Sequence, residues 1–494
     1  MLITDLPSID VEALRSRLFG DVFGPDDEGW DEARRAWNLA IDQRPAAVAL
    51  PLTDSDVVAV VNFAREAGLR VAPQGTGHGA GALASLENTI LLSTKRMRGV
   101  RIDPQTRRAR VRAGALWADV TAPASAYGLA PLAGSSHDVG VVGYTLGGGL
   151  SWLARKYGFA ADSVTAIELV TADGRHIRTD AHNDPQLFRA LCGGGGNFGV
   201  VTAMEFKLYP VEALTAGAMA WPWERAAEIF TAWREWTATV PDDITSLCRI
   251  LQVPDMPDVP PPLRGAKLVV VEAAILGDPD LLAPLRALEP QLDLFAAMAP
   301  AGLIEVHNDP KAPVPALTDH RLLADLPDSA ITALVGAAGP GSRSPLISVE
   351  LRHLGGALPI DAAFSLFAVG SPIDAQSAMA IDPRPPDDRH RAVRRRPLAP
   401  ELHRQAGARR PPLRRLHRQP AARDQGSRGR RQPLRRQPRD PLAPRRRGQT
   451  PQQFKPRRRA KTNVEGSDPP LKRQGVGRVA RAMPLWGTRH ATVS

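Results

Sequence analysis

Three glycine-rich segments between residues 75 and 202 constrain the fold of this chain more than any other feature of its sequence. Glycine stands at every second position from 75 to 81, and further glycines cluster at 134–149 and 193–196. Each cluster lies beside a predicted strand, where glycine weakens the strand and adds no packing. A backbone without side chains also lets N–H groups converge on an anion. Any one segment also fits a flexible loop without a function, but the three together predict one large, flat, phosphate-bearing ligand held between them.

The first segment differs from two familiar phosphate-binding motifs. A dinucleotide fingerprint needs another glycine spacing and a helix directly after it. A nucleoside-triphosphate loop needs Gly-Lys followed by Ser or Thr, and this tripeptide does not occur in the sequence. His78 is the one side chain of chemical consequence among these glycines. Its position fits either a histidine that contacts the ligand or a polar histidine on the surface.

The periodicity of apolar residues predicts an α+β fold. Thr53 and Asp56 have the spacing of a capping box, which predicts a helix over residues 54–67. Strands are predicted at LRVAP, TILLS, GVRID, RARVRAG and GVVTAMEFKLYPV, with a hairpin that turns at Asp173-Gly174. Between residues 215 and 372, the helix EIFTAWREWTATVP and the strands KLVVVEAAILG, LISVELRHLGGAL and AAFSLFAVG predict a second α+β domain.

Charge divides the chain into two unlike parts. Residues 384–494 hold 32 Lys and Arg against 7 Asp and Glu, a net charge of +25. Residues 1–383 hold 31 against 45, a net charge of −14. The basic part is rich in Arg and Pro, has no apolar period, and is predicted to be disordered because it cannot bury enough apolar surface. It also lacks the aromatic residues that stack on bases, so nucleic-acid binding is disfavoured.

Composition and the chain start predict a cytoplasmic protein. Cys192 and Cys248 are the only cysteines, which favours a reducing compartment and provides no metal site. Cys192 adjoins a glycine run and is expected to be a small buried residue rather than a nucleophile. The start MLITDLPSIDVEALRSRLF has no signal-peptide pattern, and no apolar run is long enough to span a membrane.

Several motifs together resemble a known group of flavoenzymes. RRAWNLAIDQRPAAVALPLTDSDV, GTGHGAG, GVVGYTLGGGLSWLARKYGFAADSV and LFRALCGGGGNFGVVTAMEFKLYPV occur in the order found in FAD-linked oxidases of the berberine-bridge-enzyme-like group. LRHLGGAL and AAFSLFAVG resemble the substrate domain of that group. The resemblance spans residues 30–375. It implies a PCMH-type FAD-binding domain of two subdomains and an α+β substrate domain with an antiparallel sheet. The predicted boundaries are a helical lead-in at 1–38, the FAD domain at 39–212, the substrate domain at 213–380 and the tail at 381–494.

The resemblance also implies how FAD is held. His78 matches the histidine that members of the group bond to the 8α-methyl of FAD. Bicovalent members add a cysteine where this chain has Ser136, and a serine cannot form the thioether, so attachment through His78 alone is expected. The predicted cofactor-binding residues are Gly75, Thr76, Gly77, His78, Gly79, Gly134, Ser135, Ser136, Val139, Gly140, Gly143, Gly147, Gly148, Gly149, Gly196, Gly199, Val200 and Val201.

The reaction implied by the resemblance is oxidation of a small alcohol, sugar or amine. Hydride passes to flavin N5, a base takes a proton, and dioxygen then accepts the electrons and gives hydrogen peroxide. Val139 is small enough to leave the ring open to oxygen. Tyr144 is expected near the flavin, where it either contacts substrate or packs on the ring edge. Glu350 and Arg352 share one strand face, which is either a substrate-facing site or a solvated surface.

The end of the chain departs from the group. The group's closing segment, which contacts the flavin and is followed by a helix, has no counterpart after residue 380. The abrupt change to Arg and Pro predicts a frameshift in a GC-rich gene. Two alternatives to an active oxidase therefore stay open: a flavin-binding remnant without turnover and, more remotely, a basic-tailed nucleic-acid binder.

Overall fold

The first sheet is formed by residues near the start of the chain and is mainly parallel. The computed structural model describes residues 9–372, except Ala84, Asp258 and Pro260, together with Ser377 and Ile381. The sheet has the order β1-β2-β4-β3, in which β2, β4 and β3 are parallel and β1 is antiparallel to β2. Its elements are α1 (Val11–Arg15), β1 (Asp21–Phe23), α2 (Trp30–Arg34), β2 (Ala47–Leu50), α3 (Asp54–Glu66), β3 (Arg70–Gln74) and β4 (Thr89–Ser93).

The second sheet is antiparallel and follows directly along the chain. Its order is β5-β6-β10-β8-β9. The strands are β5 (Val100–Asp103), β6 (Arg108–Arg112), β8 (Val164–Val170), β9 (His176–Asp180) and β10 (Val200–Lys207), while β7 (Leu129–Ala130) pairs with β11 (Tyr209–Pro210). The helices of this part are α4 (Trp117–Ser125), α5 (Val141–Leu146), α6 (Ala154–Tyr157) and α7 (Pro185–Gly194).

Helix α3 joins these two sheets. The Thr53 hydroxyl accepts a hydrogen bond from the Asp56 N–H, and the Asp56 carboxylate accepts one from the Thr53 N–H, as the predicted capping box requires. Val57 and Val60 on the apolar face of α3 are fully buried. They share one core with Val170 and Val200 of the second sheet. The strand ends that carry the first and third glycine segments are thereby fixed near each other.

The third sheet is antiparallel, with the path β15-β12-β14-β13-β18-β19-β17 and β16 paired to β12. Its strands are β12 (Leu214–Pro222), β13 (Ile244–Gln252), β14 (Lys267–Ile275), β15 (Leu292–Asp293), β16 (Ala296–Met298), β17 (Leu317–Leu323), β18 (Ser348–His353) and β19 (Phe364–Gly370). The helices are α8 (Ala226–Thr237), α9 (Ala283–Arg286) and α10 (Asp328–Ala338). Helices α8 and α10 cover one face of the sheet, and Trp221, Phe230 and Trp233 are fully buried there. Burial of each such side chain contributes about 1.5–3 kcal/mol.

The observed architecture confirms the predicted fold class. The helix expected over 54–67 ends at Glu66, and the hairpin at Asp173-Gly174 joins β8 to β9. The predicted tail lies outside the described residues, apart from Ile381, which is buried in the core under the third sheet. Among the described residues, no helix has the length and apolar character needed to cross a membrane.

The Asp56 carboxylate is predicted to contribute to stability. It is 1% exposed and accepts hydrogen bonds from the backbone N–H groups of Phe19, Leu52 and Thr53. Burial raises the pKa of Asp56, but these N–H groups outweigh burial and lower that pKa below its usual value. We expect Asp56→Asn to reduce the free energy of unfolding by about 1–3 kcal/mol in urea denaturation.

Asp26→Asn is the matched control, because Asp26 is an exposed aspartate. A group with a lowered folded-state pKa stabilises above its unfolded-state pKa, and this contribution is lost as pH falls through the folded-state pKa. The difference between Asp56→Asn and the wild type should therefore shrink in acid. Equal free energies of unfolding for Asp56→Asn and the wild type at neutral pH would contradict this role.

Candidate functional site

The first glycine segment begins where β3 ends, and His78 is held inside it. The Trp37 ring stacks on the His78 ring, with centroids 3.9 Å apart and an interplanar angle of 20°. Asp138 Oδ1 lies 3.2 Å from His78 Nε2, and Trp37 Nε1 donates a hydrogen bond of 2.5 Å to Asp138 Oδ2. The side chain of His78 is 22% exposed. His78 is therefore fixed by packing, in contrast to the surface histidine that the sequence also allowed.

Gly77 makes the approach of Trp37 possible. Its φ is 88°, which favours glycine, and a Cβ here would lie 2.8 Å from Ala36 Cα and 2.9 Å from Trp37 N. The Trp37 N–H donates to the Thr76 carbonyl at 3.0 Å. The glycine at position 77 is thus explained by close packing against the segment that contains Trp37, and not only by a ligand.

The three glycine segments meet. A Cβ at Gly140 would lie 3.8 Å from Thr76 Cγ2, which places the second segment against the first. The Gly195 N–H donates to the Leu146 carbonyl at 3.0 Å, and a Cβ at Gly196 would lie 3.9 Å from Pro73 Cγ. The third segment therefore contacts both α5 and the end of β3.

Some predicted cofactor-binding glycines face open space, and others pack against protein. A Cβ built on Gly75, Gly79 or Gly143 meets no atom within 4 Å. Cβ atoms at Gly134 and Gly149 would instead lie 3.0 and 2.4 Å from the Tyr144 ring. A Cβ at Gly199 would lie 2.5 Å from the Val170 carbonyl oxygen. The second group shapes the walls of the site, and the first leaves backbone accessible.

The remaining predicted cofactor-binding positions line or support the same region. Val139 packs on the core of the second sheet, Val200 and Val201 are buried in β10, and Gly147 and Gly148 follow α5. The geometry fits FAD on two observations: open backbone at three glycines, and a buried Tyr144 hydroxyl beside the glycine segments that has no hydrogen-bond partner among the described residues. The residues that would hold it are those of the three glycine segments.

Glu350 and Arg352 lie together on β18, but the surface they share is not solvated. Arg352 Nε donates a hydrogen bond of 2.6 Å to Glu350 Oε1, and Glu350 is 1% exposed. Burial lowers the pKa of Arg352, but Glu350 outweighs burial and leaves that pKa raised. The prediction of a shared strand face was correct, and its alternative of a solvated face was wrong because neighbouring strands and a loop cover the carboxylate.

Glu350 belongs to a buried charge network, which consists of Arg249, Glu272, His307, Asp309, Glu350 and Arg352. His307 Nδ1 lies 2.6 Å from Glu272 Oε2, and His307 Nε2 lies 3.4 Å from Glu350 Oε2. Arg249 Nη2 is 2.5 Å from Glu272 Oε1. Burial and Arg249 lower the pKa of His307, but Glu272 and Asp309 outweigh them and leave it above its ordinary value. With His307 protonated, the network holds three positive and three negative charges.

Asp309 connects this network to the second glycine segment. Its Oδ2 accepts hydrogen bonds from Ser135 Oγ at 2.8 Å and Ser136 Oγ at 2.7 Å. Asp309 Oδ1 is 3.8 Å from His307 Nε2. The Ser136 hydroxyl, at the position where a thioether was excluded, is therefore engaged by a carboxylate from the third-sheet region.

Tyr144 lies between the glycine segments and the charge network. Its hydroxyl is buried and has no hydrogen-bond partner among the described residues. Burial raises the pKa of Tyr144 far above its usual value, and Arg352 offsets only part of this effect. The phenol is therefore neutral at all ordinary pH values and keeps an O–H donor free. The ring packs edge-on against Trp117, with centroids 5.4 Å apart.

A pocket opens between these groups. It is small, with a volume of about 20 Å³, and is lined by polar and apolar side chains that include Ser135, Trp152, Leu247, Arg352 and His353. His353 Nε2 lies 2.7 Å from Arg155 Nη1, and burial lowers the pKa of His353 to about 3. Cys192 is half-buried, and burial raises its pKa to about 11, which disfavours a nucleophilic thiolate.

Sequence reasoning missed Trp37, Asp138, His307, Glu272 and Asp309. Trp37 and Asp138 are 101 residues apart, and the contact between them depends on the conformation of Gly77. His307 lies in a loop, and its partners come from strands whose register the sequence does not fix. The polar run His307-Asn308-Asp309 was the one available signal.

Removal of the Glu272 carboxylate is predicted to destabilise the fold. Glu272 is 1% exposed and pairs with Arg249 and His307, so Glu272→Gln leaves buried positive charge without its partner. We expect the free energy of unfolding to fall by about 3–5 kcal/mol in urea denaturation. Glu305→Gln is the control, because Glu305 pairs with Lys311 at the surface and the expected loss is below about 1 kcal/mol. Equal losses in both variants would show that the buried network carries no such energy.

Comparison with known proteins agrees with the geometry. Residues 45–180 match the family model described as FAD binding domain. (R)-6-hydroxynicotine oxidase of Paenarthrobacter nicotinovorans is 36% identical over 203 residues, which cover 41% of this chain and 44% of that protein. Glucooligosaccharide oxidase of Sarocladium strictum is 30% identical over 227 residues, covering 44% and 45%. The chain spans about half the length of the curated relatives it matches.

Solved structures share the fold over a larger part of the chain. 6-Hydroxy-D-nicotine oxidase from Arthrobacter nicotinovorans has a TM-score of 0.66 and 26% identity, covering 83% of this chain and 88% of that one. BBE-like 1 of Physcomitrella patens has a TM-score of 0.64 and 19% identity, covering 74% and 85%. The predicted resemblance to PCMH-type FAD-linked oxidases is confirmed for the FAD-binding domain and for the fold.

Proposed function

From the premise that residues 45–180 are an FAD-binding domain on a fold shared with FAD-linked oxidases, we propose that this protein is an FAD-dependent oxidase. Its substrate is a small alcohol, sugar or amine, and dioxygen accepts the electrons to give hydrogen peroxide. Relatives named as oxidases of hydroxynicotine and of oligosaccharides support this range of substrates. The cytoplasmic location and the domain boundaries given above stay predictions.

The observation that carries the proposal is the meeting of three glycine segments beside one fixed imidazole. Open backbone at Gly75, Gly79 and Gly143 offers N–H groups to a diphosphate at close range. His78 lies in the same region and is the proposed point of covalent attachment. Attachment is through His78 alone, since Ser136 has no thiol and its hydroxyl is bonded to Asp309.

The proposed substrate site lies beside Arg352 at the mouth of this pocket, and flavin held by the glycine segments would accept the hydride. Glu350 is the proposed base that takes the substrate's O–H or N–H proton. Arg352 Nε contacts one oxygen of this carboxylate and His307 Nε2 lies near the other, so both hold it in place. Tyr144 offers its O–H to substrate, because the neutral phenol has no other acceptor among the described residues. Trp152 and Leu247 line the apolar side of the pocket.

The absence of a side chain at the open glycine positions is predicted to be essential for FAD binding. Gly75→Leu adds a side chain where no protein atom lies within 4 Å, so the fold is expected to tolerate it while the nucleotide is displaced. We expect FAD binding, measured by quenching of flavin fluorescence, to weaken at least about 100-fold, which is about 2.8 kcal/mol. Circular dichroism should remain unchanged.

Gly336→Leu is the matched control, because Gly336 also has no atom within 4 Å of its Cβ position but lies on α10. This variant should bind FAD as the wild type does. If Gly75→Leu binds FAD with the affinity of the wild type, the first glycine segment is not part of the nucleotide site.

Removal of the Glu350 carboxylate is predicted to slow flavin reduction. Glu350→Gln keeps the shape of the side chain and removes the proton acceptor, so anaerobic bleaching of the flavin by an active substrate should slow about 10²–10⁴-fold. The substrate is found by peroxide release from a panel of alcohols, sugars and amines, and Glu305→Gln serves as the control. Unchanged bleaching would exclude Glu350 as the base. Bound flavin that no panel member reduces would favour the flavin-binding remnant.

A further inference from the structure

His78 is held on two sides by residues that no comparison assigns to the site. Trp37 covers one face of the imidazole at 3.9 Å, and Asp138 Oδ1 lies 3.2 Å from Nε2. The exposed fractions of the His78 and Asp138 side chains are 22% and 18%. Such burial and stacking leave the ring little freedom to rotate.

Asp138 is itself oriented by Trp37. The indole Nε1 donates to Asp138 Oδ2, which turns Oδ1 toward His78. Burial raises the pKa of Asp138, but His78 and the Trp37 N–H outweigh burial and keep that pKa below its usual value. The carboxylate is therefore ionised at neutral pH, and its Oδ1 faces His78 Nε2 at 3.2 Å.

An acceptor at one ring nitrogen determines the chemistry of the other. A carboxylate that faces Nε2 favours the tautomer with its proton on Nε2, which leaves a lone pair on Nδ1. No described residue forms a hydrogen bond with Nδ1, so that atom is free to react. His78 Nε2 and Asp138 Oδ1 are both buried, and neither has another hydrogen-bond partner among the described residues.

We infer that Asp138, oriented by Trp37, is the positioning residue that selects His78 Nδ1 as the atom that forms the covalent bond to flavin. This inference rests on the proposed function and on its single attachment point at His78. The aromatic stack fixes the plane of the ring, and the carboxylate fixes which nitrogen is nucleophilic. A trio from three separate segments thereby prepares one side chain for one reaction.

The attachment step balances with dioxygen as the oxidant. A C–H bond of the flavin 8α-methyl breaks, its proton leaves to solvent, and the electron pair enters the ring system. The Nδ1 lone pair forms the new C–N bond, which makes the imidazole cationic until its Nε2 proton is released. The flavin is left reduced by two electrons, and dioxygen takes them with two protons to give hydrogen peroxide. Asp138 lowers the energy of the cationic ring, since opposite charge at about 3 Å is strongly favourable in a partly buried site.

The test measures covalent attachment rather than turnover. The full-length chain, produced in riboflavin-starved cells so that it carries no flavin, is incubated with FAD, and the fraction of flavin that stays with acid-precipitated protein is followed over time. Asp138→Asn should bind FAD normally, with flavin fluorescence quenched to the same extent as in the wild type. It should attach the flavin at least about tenfold more slowly. His78→Ala has no attachment point and gives the background of flavin that precipitates without a covalent bond. Asp26→Asn, at an exposed carboxylate, serves as the control.

Two further readouts separate positioning from a merely structural role. Attachment in Asp138→Asn should accelerate as pH is raised from 7 to 9, since hydroxide replaces the missing acceptor, while the wild type changes little. Trp37→Phe keeps an aromatic ring over His78 and removes the N–H that orients Asp138, so its rate should lie between the other two. If Asp138→Asn fails to fold, the attachment rate of Trp37→Phe still tests the inference.

The outcomes distinguish this inference from the proposed function. Covalent wild-type flavin together with a wild-type rate in both Asp138→Asn and Trp37→Phe overturns the inference alone. Wild-type protein that binds FAD but releases all of it on precipitation overturns both the attachment at His78 and the inference. Slow attachment in Asp138→Asn that recovers at high pH supports both.

Discussion

The close approach of the Ala36–Trp37 backbone to Gly77 is the contact on which the nucleotide side of this structure depends. A side chain at position 77 would overlap Ala36 Cα, so glycine is the residue that lets this segment lie flat on the loop after β3. Trp37 then reaches His78 and Asp138 at once. Segments separated by about 40 and 60 residues are joined at one imidazole, which receives a fixed plane and a fixed polar neighbour.

The loop that carries Asp138 also joins the two halves of the site. Ser135 and Ser136 at its start donate to Asp309, which belongs to the buried charge network, while Asp138 contacts His78. The network costs desolvation energy, and replacing such charges by apolar residues is often neutral or stabilising. Its presence beneath Glu350 is therefore better explained by the need to fix the position of the proposed base than by stability. The same loop therefore links the third sheet to the glycine segments.

Local patterns predicted the parts of the site that depend on local structure. The capping box of α3, the strand alternation that puts Glu350 and Arg352 on one face, and the three glycine segments all follow from short-range rules. The contacts of Tyr144 with Gly134 and Gly149, and those of His307 with Glu272 and Glu350, join positions far apart in the sequence. They depend on strand register and loop conformation, which a single sequence does not determine. For the same reason, the sequence also allowed the strand face of Glu350 to be solvated. In the structure, β13, β14 and the loop at 307 cover it.

The central claim is that the three glycine segments hold FAD with its ring at His78. The absorbance spectrum of the purified chain after addition of FAD and removal of the excess, recorded before and after denaturation, tests this most directly. The account predicts flavin bands in the native protein that remain with the polypeptide when it is unfolded. A native spectrum without flavin bands would contradict the claim.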